Sequence, residues 1–281
     1  MFSDRDKEKI QILNYQMHLR NLESICATFS AERIEPILIK GLAAAQNYPH
    51  KHQRTFSDLD LACEPKKFNR ARTIIYKSRY PVDLHLGLRH LDTLGWEDLF
   101  ERSKFMEVGG ERIRVLCAED HLRVLCVHWL NDGGTDRTRL WDIYFALRNK
   151  PPDFEWDRFL RVVDERRSLW LITVVLLTKY YFGLELEGTD FKLLRYELPD
   201  WLIKEIEKEW GSDERLIPLH QVLHDKKRFI RQVFKRVPPN ALQAAVETGS
   251  HLRDDHFYFV RAHNLLARVK PSVKRILKIE D

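Results

Sequence analysis

Asp58 and Asp60 stand one residue apart in the stretch Ser57-Asp58-Leu59-Asp60-Leu61-Ala62, where acid and leucine alternate strictly. Strict alternation is the pattern of a half-buried strand, so both carboxylates leave one face, about 7 Å apart along the chain. At that separation both can reach one or two hard divalent cations through oxygen. A second alternating stretch, Val82-Asp83-Leu84-His85-Leu86, sets a third carboxylate and an imidazole opposite apolar Val82, Leu84 and Leu86. An acid there, on a neighbouring strand, would complete a two-metal site, one ion activating an attacking oxygen and the other neutralising a triphosphate and its leaving pyrophosphate. An Asp-x-Asp pair alone is weak evidence, because the same pattern lies on many solvated strands. The ordered set around it is what gives it weight.

The elements that must position these groups can be read on either side. Ile37-Leu38-Ile39 is a short apolar run that gives way to Lys40-Gly41 and then to Leu42-Ala43-Ala44-Ala45, which reads as strand, tight turn and helix. Glycine at such a turn lets the backbone approach a phosphate, the start of a helix favours anions, and Lys40 would add a point charge. The bland alternatives are a solvated lysine and a plain turn glycine. In the polar loop that follows, Arg54 is a candidate phosphate clamp, and Ser57 adjoins the acidic pair. Residues 4–29 carry apolar Ile10, Leu13, Met17, Leu19, Leu22, Ile25, Cys26 and Phe29 near helical spacing, with Ser3 as N-cap and Asp6 three residues on. Lys66 to Ser78 reads as a helix broken by Arg79-Tyr80-Pro81.

Beyond about Ala118 the pattern changes to long helical segments at 119–131, 140–149, 156–165, 169–182 and 199–210. The expected class is therefore α+β. A mixed sheet with flanking helices and an opening helix fills residues 1–117, and an all-helical domain with a basic C-terminal region fills 118–281. The boundary falls near the Gly109-Gly110 turn and the strand-like stretch 112–117.

Composition bounds the rest. The 281 residues carry a net charge of +5, suited to a polyanionic ligand but no argument by itself for nucleic acid, which is not assigned. The longest apolar run, Leu169 to Thr178, is well short of the roughly 20 residues of a membrane span. The mixed-charge start resembles no export signal, and four scattered cysteines without a C-x-x-C pair form neither a zinc ribbon nor a disulfide framework, so a cytoplasmic location is expected. No G-x-x-x-x-G-K-[ST] phosphate loop is present. His220 and His224, one helical turn apart but without a neighbouring glutamate, read as surface histidines. His128 and Asp142 read as polar contacts between the domains rather than as direct participants in chemistry. The cations Lys226, Lys227, Arg228, Arg231, Lys235 and Arg236, followed by Arg261, Arg268, Lys270, Lys274, Arg275 and Lys278, form basic amphipathic helices that an acidic partner, RNA or an anionic membrane surface could meet, the bland alternative being a solvated face.

Taken in order, ILIKGLAAAQNYP, RTFSDLDLA and VDLHL resemble a poorly characterised bacterial nucleotidyltransferase family whose members carry a K-G turn, an R-x-x-S-D-hydrophobic-D strand and a V-D-L-H strand. The resemblance is strongest over residues 34–90 and continues through RVLCAEDHLRVLCVHWL and RLWDIYFAL, weakening beyond about 185. The family is a distant branch of the polymerase-beta-like nucleotidyltransferases. The resemblance implies Mg2+-dependent transfer, with Mn2+ as the alternative ion, of a nucleoside monophosphate from an NTP, ATP foremost, to an acceptor that is a small molecule, a peptide or a protein, with release of pyrophosphate. It implies that Asp58, Asp60 and Asp83 are metal ligands, with Asp83 also a candidate base. Lys40, Gly41, Arg54 and Ser57 would lie on the nucleotide side and His85 on the acceptor side. Two departures stand out: Lys40-Gly41 replaces the Gly-Ser of better-known relatives, and the 22 residues from 61 to 82 leave no room for the extra hairpin usual between these acids. The alternative reading is a weakly active or inactive nucleotide-binding or interaction module of a peptide-tailoring or toxin-antitoxin system.

Overall fold

A computed structural model of the chain describes residues 3–78, 80–88, 94–108, 110–161, 164–186, 196–212, 216–217, 219–252 and 257–276. Arg79, Gly109, Lys278 and the side chains of His220, Lys270, Lys274 and Arg275 lie outside the described residues.

Helix α1 (Asp4–Ala31) opens with the capping box that Ser3 and Asp6 predict, each bonded to the other's backbone N–H. Its buried stripe is His18, Leu22, Ile25 and Phe29. Ile10, Leu13 and Met17, counted among its apolar positions, are exposed instead. At about 100° per residue those three project onto a flank of the helix roughly a quarter turn or more from the stripe, so one face cannot bury both sets.

The chain then builds β1 (Ile37–Ile39), α2 (Gly41–Ala45), β2 (Leu59–Cys63), α3 (Phe68–Ser78), β3 (Val82–Leu86), α4 (Trp96–Arg102), β4 (Lys104–Val108) and β5 (Glu111–Val115). The strands form one mixed five-stranded sheet in the order β3-β2-β1-β5-β4. β1 runs antiparallel to β2 and parallel to β5, β2 runs parallel to β3, and β4 pairs antiparallel with β5. Every residue of β1 and β2 is buried, so β2 is not the half-buried strand that its alternation predicts: it lies in the middle of a sheet covered on both faces, and its acid is buried with its leucines. Leu38, Leu59, Leu61 and Cys63 pack against Leu22, Ile25 and Phe29 of α1 and Ala71 of α3. The alternate residues Ile37, Ile39 and Ala62 pack with Leu99 and Leu116 on the other face. Asp60, lying between Leu59 and Leu61, belongs by alternation to that second face.

Among the described residues that remain, the regular elements are helices: α5 (Ala118–Asn131), α6 (Leu140–Arg148), α7 (Trp156–Arg161), α8 (Glu165–Phe182), α9 (Asp200–Trp210), α10 (Lys226–Lys235), α11 (Ala241–Thr248) and α12 (Phe257–Ile276). The α+β class expected from the sequence is therefore the class of the fold. Two compact units divide the chain. The first comprises Met1–Cys126, Trp141–Val163 and Thr178–Thr189, and the second Val127–Leu140, Asp164–Leu177 and Asp190–Asp281. No described helix is long and apolar enough to cross a membrane.

Candidate metal and nucleotide site

Sheet register lines up the chemistry. Ile39 of β1 pairs with Asp60 of β2, Asp60 with Asp83 of β3, and Ala62 with His85. In parallel β2 and β3 this puts both acids side by side on one face, with His85 two residues further along that face. Donor atoms of Asp60, Asp83 and His85 all lie within 4.8 Å of one another. His85 Nε2 is 3.1 Å from Asp83 Oδ2 and 3.4 Å from Asp60 Oδ1.

Lys40 closes this group from the end of β1. Its side chain is 7% exposed, and Nζ donates to Asp60 Oδ1 at 2.6 Å. To reach there the residue adopts φ 48° and ψ −139°, a region costly for a residue with a Cβ by about 1–3 kcal/mol. A buried lysine held in a strained backbone against a buried aspartate is maintained by its surroundings, and such strain clusters at functional sites. Gly41 follows, and a Cβ there would stand 3.3 Å from Asp60 Oδ2 and 3.5 Å from Phe56. Glycine thus leaves the second carboxylate oxygen uncrowded. The helix it opens, α2, has only five residues, so its dipole adds little and the phosphate-side argument rests on the glycine and the lysine.

Asp60 is 7% exposed. Burial pushes its carboxyl up, but the hydrogen bond with His85 and the charge of Lys40 outweigh that and hold it below the usual carboxylate range. It is therefore an anion at neutral pH. Asp83 is half exposed, on the open side of the group.

The other expected residues fall in different places. Asp58 precedes β2, is half-buried, accepts from Ser57 Oγ at 3.1 Å and is not in the 4.8 Å group. His18 of α1 is 2% exposed, its ring tilted against that of Phe56 at 4.6 Å, with burial lowering its basicity despite the charge of Asp58. Arg54 does not point freely into a phosphate site. Its guanidinium is 4% exposed and clamps Asp142 of α6 through Nε at 3.0 Å and Nη2 at 2.7 Å. Tyr48 donates to the same carboxylate at 2.7 Å, and Arg54 Nη1 to the Thr55 carbonyl at 2.6 Å. In this arrangement Arg54 ties the loop before β2 to α6.

Sequence reasoning placed Lys40 toward phosphates and did not see that it reaches Asp60. It took Asp142 for a polar contact between domains without naming Arg54 as its partner, and overlooked His18. The 18-22-25-29 spacing in α1 was the available signal for His18, since a histidine in register with a buried stripe must itself be buried.

The donor set fits a hard divalent ion. Two carboxylates and an imidazole converge within ion-bridging distance, and among Asp58, Asp60, Asp83 and Lys40 the formal charge is −2. Imidazole beside carboxylate suits Mn2+ at least as well as Mg2+, which prefers oxygen alone.

No curated protein and no solved structure matches the chain significantly. Residues 5–80 and 72–183 match the sequence profile of a family described as uncharacterised nucleotidyltransferase, so that the strands bearing Asp60 and Asp83, the Lys40-Gly41 turn and the helix bearing Asp142 all fall within the match. The chain belongs to this nucleotidyltransferase family.

Proposed function

We propose that the protein transfers a nucleoside monophosphate from an NTP to an acceptor hydroxyl, using Mg2+ or Mn2+ held by Asp60 and Asp83 with Asp58 and His85 beside them. The observation that carries this reading is the convergence of Asp60, Asp83 and His85 within 4.8 Å on one sheet face, in a chain of a nucleotidyltransferase family. A divalent ion bound there would supply Lewis-acid neutralisation of the phosphates. Asp60, ionised and fixed by its neighbours, binds. Gly41 leaves room at its Oδ2, and Lys40 is placed to exchange its contact with Asp60 for one with a phosphate oxygen. Asp83, the more exposed acid, faces the side from which an acceptor would come, with His85 against it. In the reaction the acceptor oxygen bonds to the α-phosphorus and the bond to the bridging oxygen breaks. Pyrophosphate then leaves, and the hydroxyl proton passes to Asp83 or to water.

The test is pyrophosphate release from each of the four NTPs with Mg2+ or Mn2+, together with NTP binding by calorimetry, for the native chain, Asp60→Asn and Asp83→Asn. The expected result is turnover that falls on the order of 10³-fold in either variant, with metal-dependent binding weakened. Absence of nucleotide binding in the native chain would overturn the reading.

A second reading has its own observation. Lys40 Nζ already neutralises Asp60 at 2.6 Å, which is how a site that binds nucleotide without consuming it would be built. Binding without pyrophosphate release for all four NTPs would select it.

A further inference from the structure

Helix α10 (Lys226–Lys235) segregates its apolar and polar residues onto separate faces, and it is mounted the wrong way round. An amphipathic helix on a globular unit normally turns its apolar stripe to the core. In α10 the buried residue is Gln232, which is 0% exposed, while Ile230 is 52% and Phe234 72% exposed. Gln232 is fixed in that orientation. Its Oε1 accepts from the Ile217 N–H at 2.9 Å and from Arg236 Nη1 at 2.9 Å, and Arg236 Nη2 donates to the Ile217 carbonyl at 2.6 Å. Asp225 caps the helix at its start. The inversion is therefore held by a satisfied polar network.

The exposed face continues past the helix at both ends, with Leu223 65% and Val237 47% exposed. Lys226 lies one turn before Ile230 and Lys227 lies seven residues before Phe234, so both cations border the apolar ridge on its own face. No acidic residue occurs from Lys226 to Val246. A convex ridge of isoleucine and phenylalanine rimmed by exposed lysine is the make-up of a helix that lies in the headgroup layer of an anionic bilayer, apolar side chains below and cations among the lipid phosphates. Phosphate contact in a nucleic-acid groove would account for the lysines but leave Ile230 and Phe234 unexplained. We infer that α10 is a docking surface for an anionic membrane, on which the protein would lie peripherally.

The inference is tested by flotation of the full-length chain with vesicles of phosphatidylcholine alone and of phosphatidylcholine with phosphatidylglycerol. The variants are Ile230→Asp/Phe234→Asp and Lys226→Glu/Lys227→Glu, each first checked for native circular dichroism and melting. The expected result is partition onto the anionic vesicles only, lowered about tenfold or more by either variant. No partition of the native chain, or partition untouched by Ile230→Asp/Phe234→Asp, overturns the proposal. So would a dimer in sedimentation that the same variant dissociates, since a second copy would then cover the ridge. A shift of RNA that survives Ile230→Asp/Phe234→Asp but not Lys226→Glu/Lys227→Glu, without vesicle partition, would assign the surface to nucleic acid instead. None of these readouts depends on nucleotide turnover.

Discussion

At the scale of single residues, the lysine at the end of β1 governs what the acids can do. An ammonium 2.6 Å from Asp60 Oδ1 occupies an oxygen that a divalent ion would need, so an ion entering this group would have to displace Lys40. Lys40→Met should therefore tighten Mn2+ in the absence of nucleotide by about tenfold, roughly 1.4 kcal/mol, while weakening NTP binding. Titration of free Mn2+ by electron paramagnetic resonance measures the first effect, and unchanged affinity would mean that lysine and ion do not share the oxygen. His121, buried with Nε2 unbonded, makes a different kind of statement. Burial lowers its pKa from 6.5 to about 4, against the pull of Asp142 and with the repulsion of Arg54. The unfolded chain binds this proton below pH 6.5 and the folded chain only near pH 4. Stability is thus complete above pH 6.5 and falls as pH drops toward about 4, by up to about 3 kcal/mol from this group. His121→Gln should flatten that loss, read as a smaller difference between urea midpoints at pH 7 and pH 5.

At the scale of elements, a glycine pair fixes how α5 hands over to α6. Gly134 has φ +66°, and a Cβ there would lie 2.9 Å from Leu242 and 2.9 Å from the Trp129 ring. Both neighbours are buried, so neither can swing aside, and the Gly134 carbonyl is held by Trp210 Nε1 at 2.8 Å. Gly134→Ala combines left-handed strain with overpacking and is expected to cost about 2–4 kcal/mol, seen as a lower melting temperature. This turn carried no signal beyond its two glycines, whereas β2 and β3 were legible because alternation in SDLDLA and VDLHL is unbroken and both are sheet strands. Strand β4, Lys104–Val108, went unread because, as an edge strand, it exposes residues on both faces and so loses the period of two. Within the site, the convergence of Asp60, Asp83 and His85 could be foreseen from those two strands. The clamp between Arg54 and Asp142 could not, because no local spacing encodes a pair 88 residues apart.

At the scale of the whole molecule, the family match and the architecture end in different places. The match stops at residue 183, yet the second unit takes Val127–Leu140 and Asp164–Leu177 from inside the matched region and the rest from Asp190 onward. Its own bonds cross that divide: Trp170 Nε1 to the Ser250 carbonyl at 3.1 Å, Arg166 Nη1 to the Gly249 carbonyl at 2.7 Å, and Thr173 Oγ1 with Tyr196 Oη at 3.4 Å. Leu171, Val174 and Val175 of α8 are at most 1% exposed in the full chain. A fragment of residues 1–183 would keep every candidate site residue but leave the second unit's two internal segments without the helices that complete it. Each large apolar side chain so uncovered forfeits about 1.5–3 kcal/mol, enough in sum to exceed the margin of an ordinary domain. The fragment is therefore expected to aggregate or to melt without cooperativity. Calorimetry of the fragment beside the full chain decides the point, because a sharp transition in the fragment would show that the sheet unit folds without residues 184–281.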